Sequence, residues 1–232
     1  MEGLQLPLGV QLPVAASLQN FHAGPNGSTL AALTLHARTS GSGAFLFGPA
    51  GAGKTHLLQA LVREAGEAGR HAAYLPLKSM QALGPSALDG LEGLHLACID
   101  DIDAVTARPD WTLALLRLID RLRAGDCAFV LAARAAPDRI ENLLPDLATR
   151  LKWFAPYGLK PLSDADRVAL LDKLARARGV QLPAEVARYL LARLPRDTAT
   201  LLRVLEELDR ASLAQQRRLT IPFVQTVLKL GR

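Results

Sequence analysis

The run Gly48-Pro49-Ala50-Gly51-Ala52-Gly53-Lys54-Thr55 constrains this chain more than any other feature. It satisfies the G-x-x-x-x-G-K-[ST] pattern in full. The glycines let the backbone wrap so that several N–H groups face phosphate oxygens, where a side chain would block the approach. Lys54 supplies a point charge for the β and γ phosphates, and Thr55 a hydroxyl for Mg²⁺. A helix starting here aims the positive end of its dipole at the same anion. The context suits this reading: Ala44–Phe47 is a short apolar strand leading in. Leu57, Leu58, Leu61, Val62 and Ala65 form one face of a helix leading out. A chance glycine-rich turn is the alternative, and the strand–loop–helix order counts against it. His56 follows directly and is grouped with the nucleotide-binding residues, its ring packing within the helix.

A second half-site lies at Leu96-Ala97-Cys98-Ile99-Asp100-Asp101. A buried strand ending in an acid can set one carboxylate beside a phosphate loop, where it holds the metal or its waters. Asp100 is the metal-side acid. An Asp-Asp pair that merely ends a strand is common, so the phosphate loop carries much of this assignment.

Further strands are expected at Ala72–Leu77, His95–Ile99 and Ala128–Ala132. A helix from about Pro109 carries Leu115, Leu118, Ile119 and Leu122 at helical spacing. Apolar strands alternating with amphipathic helices predict a parallel α/β sheet covered on both faces. Beyond Pro161 every segment reads as helix. Ser163 and Asp166 form a capping-box-like start, Pro183 opens a second helix, Asp197 caps a third, and Thr220 precedes a short last one. The expected organisation is an extended arm over 1–17, an α/β nucleotide-binding domain over 18–160 and a small all-α lid over 161–232.

Half of the 232 residues are hydrophobic, ample for a core, yet no run reaches membrane-spanning length. Cys98 and Cys127 sit in apolar strand-like runs and read as small buried hydrophobes in a reducing compartment, so a cytoplasmic location is expected. The formal charge of +5 comes largely from arginines such as Arg117, Arg121 and Arg123 on helical polar faces, without interleaved aromatics. That pattern reads as solvated helix rather than a nucleic-acid surface. His22, His36, His71 and His95 show no metal-ligand spacing. Trp153 and Tyr157 follow Arg150 and border either the subdomain joint or a partner surface, or pack in the core, which is the favoured reading.

Three segments carry a family resemblance. Gly-Lys-Thr-His-Leu-Leu-Gln-Ala at Gly53–Ala60, Ile-Asp-Asp-Ile at Ile99–Ile102 and Leu-Ala-Thr-Arg-Leu at Leu147–Leu151 resemble the AAA+ region of the bacterial initiator DnaA. Asn20-Phe21 and Gly24-Pro25-Asn26 resemble the segment bordering the adenine in that family, so Phe21 and Asn26 join the nucleotide-binding residues. The resemblance begins near residue 17 and includes no counterpart of the helix-turn-helix DNA-binding domain. That pattern is similar to the Hda family, whose members regulate the inactivation of DnaA. Gln5-Leu6-Pro7-Leu8 looks like the sliding-clamp-binding peptide that opens Hda proteins, with Gln bonding and Leu filling an apolar pocket. A proline-rich arm packing on its own domain is the alternative, and Gln11-Leu12-Pro13-Val14 is a poorer copy.

The resemblance implies a P-loop AAA+ fold that binds ADP or ATP with Mg²⁺. It implies DnaA and the DNA polymerase III sliding clamp as partners, with DNA reached only through the clamp and homo-oligomers left open. Asp101 falls where such ATPases keep the acid that polarises the attacking water. Arg150 aligns with the family's arginine finger, a planar, always-charged group suited to a transferring phosphoryl, here supplied in trans to DnaA-bound ATP. A surface ion pair, for instance with Asp146, is the other reading of Arg150.

Two positions depart from the pattern. Ala133 stands near where a polar γ-phosphate sensor is usual, and Ala199 where a sensing arginine is usual, with Arg196 and Arg203 nearby. Both count against self-catalysed hydrolysis and fit a bound nucleotide that fixes shape. A self-sufficient ATPase of the helicase-loader or transposition-helper kind is the main competing expectation. A small-molecule kinase is weaker, because the helical lid and Arg150 have no evident use there.

Overall fold

The computed structural model describes residues 16–194 and 198–229. The clamp-like string Gln5-Leu6-Pro7-Leu8, together with Arg196 and Asp197, lies outside the described residues. The chain separates into two compact units. Of the described residues, the first holds 16–21, 29–47 and 54–158, and the second 22–28, 48–53, 159–194 and 198–229.

The first unit is built on a sheet of strands β1 (Gly43–Phe47), β2 (Ala72–Pro76), β3 (Leu96–Asp100), β4 (Ala128–Ala133) and β5 (Ala155–Gly158). Their order is β2-β3-β4-β1-β5, and every neighbouring pair is parallel. Every residue of β3 and β4 is buried, as expected for central strands covered on both faces.

Helices α1 (Gly27–Arg38), α2 (Lys54–Glu67), α3 (Leu77–Met80), α4 (Pro109–Ala124) and α5 (Pro145–Leu151) accompany the sheet. Proline opens both α4 and α5, where its missing N–H costs nothing and its φ is already helical. Helix α2 packs on β2 and β3, and its Leu57, Leu58 and Leu61 are buried. Helix α4 turns Trp111, Leu115, Leu118, Ile119 and Leu122 into a core shared with Phe45, Ile99 and Phe129.

The strands agree with the sequence reading to within a residue or so. The second strand stops at Pro76, whose missing N–H ends the ladder, and Leu77 begins α3. The third strand runs one residue further than expected and takes in Asp100. Strand β5 was not expected: Ala-Pro-Tyr-Gly is short, half exposed and contains proline, which only an edge position tolerates.

In the second unit the helices are α6 (Asp164–Arg176), α7 (Ala184–Arg193), α8 (Thr198–Gln215) and α9 (Ile221–Leu228). Ser163 caps α6 in the expected box: its hydroxyl accepts from the Asp166 N–H while the Asp166 side chain accepts from the Ser163 N–H. Thr220 caps α9 by accepting from the Phe223 N–H. Leu171, Leu174, Val186, Leu190, Leu205, Leu208 and Val224 form this unit's own core. Among the described residues no helix is long and apolar enough to cross a membrane.

Candidate nucleotide site and the Arg150 surface

Strand β1 leads into the loop Gly48–Gly53, and Lys54 starts α2. Gly51 and Gly53 have φ of +77° and +101°, a region that side chains disfavour. At Gly48 a Cβ would lie 2.5 Å from the Leu159 carbonyl oxygen, so close approach excludes any larger residue there. The Ala52 N–H donates to the Pro49 carbonyl across the loop at 3.2 Å. Ala50 is exposed and Ala52 buried.

Lys54 is buried, and burial lowers its pKa while the charges of Asp100, Asp101 and Asp103 partly restore it. Thr55 donates its hydroxyl to Oδ2 of Asp100 at 2.6 Å. The sequence pairs these residues across a gap of 45 positions, and the parallel sheet brings them together. Asp100 itself is fully buried, with Oδ1 accepting from the Asp101 N–H at 2.9 Å. A fully buried carboxylate is costly unless bonded, and here it has donors on both oxygens. The donor set suits a hard divalent cation, with Thr55 and Asp100 as the residues that would hold it.

Asp101 adopts the left-handed conformation (φ 56°, ψ 43°), unusual for a residue with a side chain, and enters a short 3₁₀ turn over Ile102–Ala104. Its carboxyl is raised above the usual range, first by burial and then by Asp100 and Asp103, against the opposing pull of Lys54 and Lys78. Asp103 accepts from the Arg134 backbone N–H at 3.1 Å. Ala133, the last residue of β4, is fully buried and carries no polar group.

The residues expected to border adenine are committed to local contacts. Asn26 is buried, donates to the Lys160 carbonyl at 2.9 Å and accepts from the Lys160 N–H at 2.8 Å. Phe21 packs against His56, ring centroids 5.7 Å apart, and His56 Nε2 lies 3.2 Å from the Ser17 carbonyl. Burial lowers the His56 pKa, offset in part by that carbonyl.

Arg150, on α5, makes a two-point ion pair with Asp120 of α4: Nε to Oδ1 at 2.9 Å and Nη2 to Oδ2 at 3.1 Å. The acid is therefore Asp120 rather than Asp146, which contributes its carbonyl to Nη1 at 3.5 Å. Trp153 is not a core residue; it is 47% exposed. Its ring has Arg123 Cζ 4.2 Å from its centroid and Arg150 Cζ at 5.6 Å, so two cations stack on one indole. Tyr157 is half-buried and shares His36 with Ser42, with the His36–Tyr157 contact at 2.9 Å. Sequence reasoning missed Asp120, since a contact between separate helices leaves no spacing signal.

Residues 164–228, which span α6 to α9, match the Hda lid-domain family. The whole fold is similar to domain III of the replication initiation protein DnaA from Thermotoga maritima. The TM-score is 0.76 at 19% identity, over 94% of this chain and 97% of that one. The chain has a DnaA-like fold with an Hda-like lid over residues 164–228. AMPPCP-bound DnaA from Aquifex aeolicus is also similar, with TM-score 0.67, 19% identity and coverage of 88% and 67%. A Thermotoga maritima RuvB variant has TM-score 0.67 at 16% identity, covering 94% of this chain and 72% of its own. At such identities these structural likenesses establish the fold.

Proposed function

We propose that this Hda-like protein is a negative regulator of replication initiation, which promotes hydrolysis of ATP bound to DnaA by presenting Arg150 in trans. The observation carrying this reading is the placement of Arg150: it sits on the surface of α5, its guanidinium paired with Asp120. A guanidinium delivered to another subunit's nucleotide stabilises charge on the transferring phosphoryl. The buried Ala133 at the end of β4 supports a protein that does not rely on its own hydrolysis.

In this reading ADP or ATP lies on Gly48–Thr55 with Mg²⁺ held by Thr55 and Asp100, as the donor set favours. The nucleotide is structural, and the metal, when bound, neutralises phosphate charge. Asp101 is assigned the water-polarising role, and His56, Phe21 and Asn26 the nucleotide's border. Residues 1–17 serve as the arm, with Gln5-Leu6-Pro7-Leu8 binding the sliding clamp. Residues 18–160 serve as the nucleotide domain and 161–232 as the lid, all in the cytoplasm. DNA is reached through the clamp.

The test is the rate of ATP-to-ADP conversion on DnaA with clamp-loaded DNA, with and without this protein. A large acceleration that disappears in Arg150→Ala and in Gln5→Ala is expected. If there is no acceleration and the isolated protein shows DNA-stimulated ATP turnover, a loader-type ATPase is the better reading.

A further inference from the structure

Asp100 has a third donor that its own motif does not supply. In the β2–β3 ladder Tyr74 pairs with Cys98 and Pro76 with Asp100. Side chains alternate between the faces of a sheet, so Tyr74 and Asp100 share one face, offset by two residues. The phenol spans that offset, and its hydroxyl donates to Oδ2 of Asp100 at 3.0 Å. This is the oxygen that also accepts from Thr55 at 2.6 Å. Tyr74 is buried and Asp100 fully so. The phenol therefore occupies one of the few acceptor positions of a carboxylate that solvent does not reach.

We propose that Tyr74 is a positioning residue for the metal-side carboxylate: it fixes the rotation of the Asp100 carboxyl so that Asp100 and Thr55 present a preformed cation site. Three donors then determine the carboxyl plane: the Asp101 N–H on Oδ1, and the Thr55 and Tyr74 hydroxyls on Oδ2. Residues that orient a metal's ligands commonly change metal affinity by about 10- to 100-fold when removed. Tyr74 has no role in phosphate contact in this account, so its effect is confined to the metal-dependent part of nucleotide binding. The inference rests on the nucleotide-site reading above.

The experiment titrates the full chain with a fluorescent ADP analogue, once with Mg²⁺ and once with EDTA, for wild type, Tyr74→Phe and Asp100→Asn. Phenylalanine keeps the ring and its packing and deletes only the donor. The expected result for Tyr74→Phe is binding weakened about tenfold with Mg²⁺ and unchanged in EDTA. The EDTA arm excludes a general packing defect, which would weaken binding with and without Mg²⁺ alike. A full wild-type Mg²⁺ gain in Tyr74→Phe overturns the proposal, and so does an equal loss in both arms. If wild type shows no Mg²⁺ gain, or Asp100→Asn keeps it, the metal site itself is misassigned and the proposal falls with it.

Discussion

The Asp100 site and the Arg150 surface use charge in opposite ways. Asp100 is sealed from solvent, and its oxygens are divided among a threonine, a tyrosine and a backbone N–H. Arg150 and Asp120 meet near water, their side chains 27% and 51% exposed. Burial makes the first arrangement intolerant, because each lost donor leaves an unpaid desolvation cost. Exposure makes the second adaptable, because an ion pair screened by water contributes little to stability. Under the proposed function, the first region holds a cation and the second releases its guanidinium to a partner. In the pairing with Asp120, Nε and Nη2 are used side-on, while Nη1 contacts the Asp146 carbonyl at 3.5 Å.

The strongest way to break this contrast is at Arg150. Arg150→Ala should reduce stimulation of DnaA-bound ATP hydrolysis by about 10³-fold or more, the scale of arginine-finger losses, while leaving the protein's own ADP affinity unchanged. Retained stimulation would reduce Arg150 to half of a surface ion pair. At the other region, Lys54→Ala should weaken ADP binding by about 10- to 100-fold in a direct titration, since a charge-assisted hydrogen bond is lost. Its effect on stimulation should follow nucleotide occupancy and be recovered at saturating ADP.

A smaller effect sharpens the comparison. Asp120→Ala should lower stimulation about threefold and leave the melting temperature nearly unchanged, because the exposed pair adds little stability but orders the guanidinium. A stimulation rate equal to wild type would show that the arginine needs no such support.

Asp101 offers a test of sign. Its carboxyl is raised by burial and by Asp100 and Asp103, so the folded chain binds that proton more tightly than the unfolded chain does. At neutral pH the charged form therefore destabilises the fold, and acidification through the raised range relieves it. Asp101→Asn should raise the melting temperature by about 2 °C, asparagine also tolerating the left-handed backbone. A drop would mean the charge is compensated by Lys54 and Lys78.

The smallest effect concerns His36 and His56, whose pKa values burial lowers. Their stabilising contribution is present above the unfolded value near 6.5 and is lost as pH falls through the lowered range. The melting temperature should fall more steeply below about pH 6.5 in wild type than in His56→Gln. Parallel curves would remove His56 from this account.

By itself the sequence determined the features that depend on local order. The phosphate loop needs glycine at fixed spacing, buried strands need apolar runs, and the capping box at Ser163 and Asp166 needs two residues three apart. Each is set by backbone geometry over a few residues, so each can be read without knowing what lies nearby in space. The tertiary structure decided the rest. The edge strand β5 is held by pairing with β1 rather than by the propensity of Ala-Pro-Tyr-Gly. Tyr74 reaches Asp100 only through the β2–β3 register, and Asp120 reaches Arg150 only because α4 and α5 pack together. The same cause placed Trp153 at the surface. Contacts between residues far apart in the chain depend on how elements dock, and docking is settled by the summed burial of whole faces rather than by any one motif.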